Sequence, residues 1–355
     1  MRTRTFHSAL IAGLLLFSVG CKPAYHDTPI GAVVEIQAPL GLPPVPIPAD
    51  NPPTLQTIGL GRKLFYDPKL SKDNSISCAT CHNPNIGFTD GLAIARGFHG
   101  ALGIRNAPTL LNAAYSPEQF WDGRAASLEA QSADPMAAAN EMNQAHDVSV
   151  SKLEADAAYQ EEFAQAFGPG PIDLVRIQKA LASFERTLLS GNSPFDKYEY
   201  GGNKQALSPA AIRGLAIFQD PKRGNCAVCH TIEPRYALFT DGKFHNTGAG
   251  VNGEGELTDM GRFGSTRIAT EKGEFKTPTL RNVALTPPYM HDGSLKTLRN
   301  VVDFYAGGGN SNPNLDKEIH PLPLSAQDRD DLVVFLQSLT GDVPPHVGPP
   351  SAEKP

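Results

Sequence analysis

Tryptophan occurs once in this sequence and cysteine five times, and no apolar run is long enough to cross a bilayer as a helix. Residues 9–17 are the most apolar run; with Arg2 and Arg4 ahead of them they read as an export signal over residues 1–20. Ser18-Val19-Gly20 then lead into Cys21 in the manner of a lipoprotein cleavage site, although Ser18 stands where Leu is usual. Cys21 is therefore expected to carry lipid, which predicts a periplasmic protein held to a membrane by that anchor alone. Basic stripes are absent too. The formal charge is −6 with Lys and Arg scattered, which argues against nucleic acid as a partner and against a polybasic membrane patch. Strand signals are sparse, which argues against a β-rich fold.

The other four cysteines are not scattered. Cys78 and Cys81 precede His82, and Cys226 and Cys229 precede His230, giving two CxxCH motifs. In such a motif two thiols add to the vinyl groups of a haem, and the next His turns back to ligate the iron. A redox CxxC or a zinc site made from all four cysteines would use the same thiols, but neither calls for a His after both pairs. One cysteine for lipid and two for each haem leave none for a disulfide, even in a compartment that permits one.

At 355 residues the chain is long enough for two cores. Residues 22–53 are rich in Pro and Gly and read as an extended tether, with order beginning near Thr54. Leu55, Ile58, Leu64 and Phe65 form a helical stripe that stops at Asp67-Pro68, just before the first motif. Ser208-Pro209 opens a similar helix with Ile212, Leu215 and Phe218, which stops at Asp220-Pro221 before the second. Phe65-Tyr66-Asp67-Pro68-Lys69 and Phe218-Gln219-Asp220-Pro221-Lys222 mark an internal repeat in two copies. Residues 152–167 and 172–189 read as amphipathic helices, and Ser325 with Asp328 caps a last one. The predicted fold is mostly α, with two cytochrome c-like haem domains in tandem (54–200 and 201–341), long loops, a boundary at Tyr200-Gly201-Gly202-Asn203 and a disordered tail over 342–355.

Further blocks flank each motif. Arg105-Asn106-Ala107-Pro108-Thr109 and Phe120-Trp121-Asp122-Gly123-Arg124 follow the first; Thr277-Pro278-Thr279-Leu280-Arg281-Asn282 and Pro288-Tyr289-Met290-His291-Asp292-Gly293 follow the second. This ordered set resembles the bacterial di-haem cytochrome c peroxidases and their MauG-like relatives over about residues 50–340. The resemblance implies that His82 is the proximal ligand of the peroxide-handling haem, with Gln131 and Glu141 as its distal polar residues and Glu141 as acid and base. It implies that Trp121 relays electrons between the haems and that His230 ligates the second iron. The sixth ligand there is Met in the peroxidases and Tyr in MauG-like proteins, and this chain has Tyr305. A loop His caps the first iron in resting peroxidases; His99 lies one position off that register. Asn106, Thr286 and Pro288 fall on the positions of the family's calcium site. His245 is expected to make a structural hydrogen bond.

Three functions follow from these residues. A peroxidase would reduce hydrogen peroxide with electrons from a small c-type cytochrome or copper protein. A MauG-like oxidase would withdraw electrons from a protein substrate. A non-catalytic electron carrier would leave Gln131 and Glu141 without a role.

Overall fold

The computed structural model describes residues 27–345 and 347–350, so the export signal, Cys21, His26 and His346 lie outside the described residues. The fold is mostly helical. In the first half α1 (Leu55–Tyr66), α2 (Cys78–Cys81), α3 (Leu128–Ala137), α4 (His146–Glu154), α5 (Ala157–Phe167) and α6 (Leu174–Glu185) surround one core. In the second, α7 (Pro194–Glu199), α8 (Pro209–Gln219), α10 (Leu298–Ala306) and α11 (Ala326–Gln337) surround another, while the short α9 (Phe263–Thr266) contributes no residue to it. The two-residue strands β1 (Phe244–His245) and β2 (Phe275–Lys276) pair antiparallel and form the one sheet among the described residues.

Local chemistry sets the helix starts. Thr54 and Thr57 cap each other across the first turn of α1, Ser208 accepts from Ala211 N ahead of α8, and Ser325 with Asp328 closes a capping box on α11. The buried face of α1 is Thr57, Leu60, Gly61, Leu64 and Phe65, so the stripe is rotated from the expected one and Leu55 is 71% exposed. Ile212 of α8 is likewise exposed, while Leu215 and Phe218 are buried. The segment predicted as one helix over 152–167 is broken, because the Asp156 side chain accepts from Ala158 N and caps α5 as a new start.

Each core closes where two helices cross at a glycine. Gly61 of α1 meets α6 so closely that a Cβ would lie 1.8 Å from Ala180 O, and a Cβ on Gly214 of α8 would lie 2.1 Å from Asp331 O of α11. The change of core comes earlier than the predicted boundary at residues 200–203: Phe195 of α7 is fully buried in the second core.

Two further expectations are corrected. The Pro-rich segment is not a loose tether from residue 27 onward, since its carbonyls are docked along the seam between the cores. Asn192 N donates to Leu40 O (3.0 Å), Ala237 N to Gly41 O (3.1 Å) and Tyr115 Oη to Pro43 O (2.8 Å). Extended, proline-rich backbone makes few internal hydrogen bonds, here Leu42 N to Pro39 O and Asn51 N to Pro48 O, so most of its carbonyls are free to accept from elsewhere. Asn51, 1% exposed, donates to Glu129 Oε1 (2.7 Å) and Lys179 O (3.1 Å). Residues 347–350 of the tail are also docked: Tyr66 Oη donates to Val347 O (2.6 Å) and Arg62 Nε to Gly348 O (2.7 Å).

Gly61→Ala and Gly214→Ala should each destabilise by about 1–3 kcal/mol through forced separation of the crossing helices. Gly59→Ala, on the open face of α1 with nothing near its Cβ, should instead stabilise by about 0.5–1 kcal/mol. Thermal midpoints of the three variants check this; equal midpoints for Gly59→Ala and Gly61→Ala would refute it.

Candidate haem sites and the junction between them

Each CxxCH motif forms one tight turn. His82 N donates to Cys78 O (3.0 Å) and His230 N to Cys226 O (2.9 Å), which brings both sulfurs and the imidazole of each motif to one side. All four cysteines are free thiols. Burial lowers the pKa of both imidazoles, so each is held neutral, the form that can ligate a metal.

The ring orientation is fixed from behind. His82 Nδ1 lies 3.1 Å from Phe88 O and His230 Nδ1 lies 2.8 Å from Phe239 O. A carbonyl can only accept, so each Nδ1 carries the proton and each Nε2 keeps a lone pair free. Both phenylalanines sit at positive φ, 59° and 52°, a conformation bulky residues rarely adopt. The residue before each is latched: Thr109 Oγ1 donates to Gly87 O (2.6 Å) and Thr279 Oγ1 to Leu238 O (2.7 Å).

Both motifs open onto one continuous cavity of about 930 Å³. Its wall brings together Gln131 and Glu141 with the first motif, Tyr305 with the second, and Trp121, Asn106, Thr286 and Pro288 between them. Glu141 acts electrostatically on the Cys78 and Cys81 thiols, and the Cys226 and Cys229 sulfurs act on the Tyr305 phenol, so each lies beside its predicted motif. Burial raises the Glu141 carboxyl above the usual range, partly opposed by Arg124. Free thiols, oriented neutral imidazoles and a large shared cavity are what a covalently bound haem at each motif requires.

His99 is placed elsewhere. Its backbone lies at φ 51°, which turns the side chain away from the cavity wall to stack on Phe98. Nε2 donates to Asp73 Oδ2 (2.8 Å) with the side chain 69% exposed, so this conformation does not bring it to the iron side. His245 is held between Asp316 (Nδ1, 2.5 Å) and Asp241 (Nε2, 3.0 Å) beside Cys229. Asn106 Nδ2 donates to Leu92 O (2.7 Å).

The two halves meet through a reciprocal arrangement that sequence reading missed. From residue 106 to 135 the first repeat matches the second at a constant offset of 170 positions, so Asn106 corresponds to Lys276, Trp121 to His291 and Pro135 to Tyr305. Across the junction Asn106 N donates to His291 O (2.7 Å) and Lys276 N donates to Trp121 O (2.8 Å), the same bond made twice with the repeats exchanged. Trp121 Nε1 also donates to Asn106 O (3.0 Å), and the Trp121 and His291 rings meet edge to face at 6.5 Å. Arg105 clamps the junction between Asp122 (2.7 Å) and Asp259 (2.7 Å). The signal available in the sequence was the repeat itself, carried past the motifs to the flanking blocks.

Comparison with known proteins agrees with this geometry. The family model for di-haem cytochrome c peroxidase matches residues 55–205. The methylamine utilization protein MauG of Methylorubrum extorquens is 42% identical over 299 residues, 84% of this chain and 82% of that protein. Cytochrome c551 peroxidase of Nitrosomonas europaea is 35% identical over 299 residues, 84% of each chain. Among solved structures, a MauG-like protein associated with microbial copper homeostasis superposes with a TM-score of 0.77 at 33% identity, covering 86% of this chain and 95% of that one. Two oriented haem-type histidines on one cavity, and relatives aligned along most of their length, place this chain in the di-haem cytochrome c peroxidase family, as an oxidoreductase.

Proposed function

We propose that this protein is a peroxidase that reduces hydrogen peroxide to water, with two c-type haem domains in tandem, the first handling peroxide and the second passing electrons. The observation that carries this reading is Glu141, desolvated in the cavity wall beside the first motif; the repeats also differ at one equivalent position. Pro135 on α3 offers no atom that can ligate iron, whereas Tyr305 on α10 offers a phenol. That difference leaves room for a small oxidant at the first site and a sixth ligand at the second.

Haem c, when bound at Cys78 and Cys81, supplies an iron that takes up peroxide and exchanges electrons. Glu141 carries the proton chemistry. Its carboxyl would take a proton from one peroxide oxygen and give it to the other, which would leave as water. A carboxyl raised by burial holds a transferred proton more readily than a solvated one, which suits that exchange. Gln131 offers an amide on the same wall to orient the peroxide. His82, with Nδ1 pinned to Phe88 O, keeps its ligand atom aimed at the cavity throughout. Trp121 lies at the junction, bonded to both repeats, which supports its role as the electron relay. Two electrons and two protons from outside complete the reduction to two waters, and a small c-type cytochrome or copper protein is the proposed donor. The proposed setting is the periplasm, with Cys21 lipidated. Calcium at Asn106, Thr286 and Pro288 is proposed on the family resemblance.

Tyr305 and the relative named MauG favour a second reading, a MauG-like oxidase acting on a protein substrate. A phenolate donor would stabilise oxidised iron at the second site. The third possibility, a pure electron carrier, gives no reason to bury Glu141 in the cavity wall.

In Glu141→Gln, steady-state peroxide turnover with a reduced small cytochrome should fall by roughly 10²–10⁴-fold while haem absorbance is retained; wild-type turnover in that variant would remove the assigned role. Tyr305→Phe should change the optical and EPR spectra of the second haem alone. Identical spectra would take the phenol off the iron and remove the main support for the oxidase reading.

A further inference from the structure

Among the described residues, Lys276 at the junction has no acidic partner. Its Nζ donates to Ser116 Oγ and to Glu118 O, both at 2.6 Å and both neutral, and an ammonium has a third N–H to give. The nearby acids are already engaged: the Glu118 carboxylate accepts from Arg262 (2.8 Å), and Asp122 is paired with Arg105 (2.7 Å) and Arg124 (3.1 Å). Burial pushes the ammonium down to about 8, with Glu118 and Asp122 opposing the shift from a distance. The side chain nevertheless lines the common cavity, and its own backbone N–H holds Trp121 O.

A desolvated cation without a counter-charge is a poor element of a stable fold, unless the cavity it faces receives an anion. Haem brings such anions, since each porphyrin carries two propionate carboxylates, so the argument rests on the two-haem reading above. We infer that Lys276 anchors a haem propionate beside Trp121 and that its charge raises the reduction potential of that haem. A positive charge close to the porphyrin favours the reduced iron, which carries one less positive charge. The equivalent position in the first repeat is the neutral Asn106, so the junction receives this charge from one repeat and not from the other.

The test uses the full holoprotein as wild type, Lys276→Met, Lys276→Gln and Lys276→Arg. Redox titration should show one of the two haem potentials falling in Lys276→Met and Lys276→Gln by about 59 mV, a tenfold change in the one-electron reduction equilibrium. Resonance Raman spectra should show the propionate bending band of one haem moving in the same two variants, and Lys276→Arg should keep both signals near wild type. The Gln variant carries the test if Met at this position prevents folding. Unchanged potentials and an unchanged band in either neutral variant would overturn the assignment. So would a potential that tracks added phosphate in the wild type, which would make the partner a soluble anion. A wild-type protein lacking thioether-haem absorbance would instead overturn the two-haem reading itself.

Discussion

The hydrogen bond behind each histidine is the constraint on which the rest of the site depends. An imidazole can ligate iron only if one nitrogen keeps its lone pair and the ring is held at the right angle, and a backbone carbonyl on Nδ1 satisfies both needs. Placing that carbonyl has a local cost. Phe88 and Phe239 are forced to positive φ, of order 1–3 kcal/mol each, and persist there because the surrounding loop over-determines them. Thr109 and Thr279 latch the preceding carbonyls, and the same threonines accept from Leu111 N and Arg281 N to set the turns that follow. Asn112 and Asn282, at φ 65° and 60°, then redirect the chain. The blocks after each CxxCH are thus scaffolding for an imidazole, and they recur because the same geometric problem is solved twice.

Much of this was legible from the chain. The starts of α1, α8 and α11 were readable because capping is decided by residues three apart. The Asp-Pro stops were readable for the same reason: Asp67 and Asp220 each accept from the backbone two residues on. The Pro-rich segment and the tail were misread because their order comes from carbonyls accepting hydrogen bonds from distant residues, and a carbonyl has no signature in sequence. His99 was a candidate cap by resemblance, one position off the family's register; a positive φ at that residue turns the ring outward, and nothing in the flanking residues announces it. Lys276 was overlooked because its interest lies in what it lacks. An acidic partner missing from a neighbourhood assembled from residues 116, 118 and 262 is a tertiary fact.

The junction shows how two copies of one unit can be joined without a designed linker. Each repeat supplies one N–H and one carbonyl to the other, and the donors and acceptors sit at equivalent positions, so the arrangement is self-complementary in the way of a two-fold interface. The halves are held in register partly by backbone, which tolerates side-chain divergence, and partly by side chains such as Arg105 on Asp259 and Arg262 on Glu118. The Pro-rich segment adds a strap over the same seam. Gly41 O accepts from Ala237 N and from Arg281 Nη2, while Arg281 also makes a bidentate pair with Asp196, both ends buried.

Divergence at those tolerated positions is where the functional asymmetry resides. With the frame fixed by backbone bonds, Trp121 can face His291, Pro135 can stand where Tyr305 stands, and Asn106 can stand where Lys276 stands, without disturbing the register of either repeat. Each of these exchanges alters a different physical quantity: the first an aromatic surface between the sites, the second the supply of an iron ligand, the third the charge at the junction. All three lie on the wall of the one cavity that both motifs share. A symmetric scaffold carrying unequal residues at its shared wall can hold one iron open and the other closed. The proposed peroxide chemistry at one site, fed by electrons through the other, would need such an inequality.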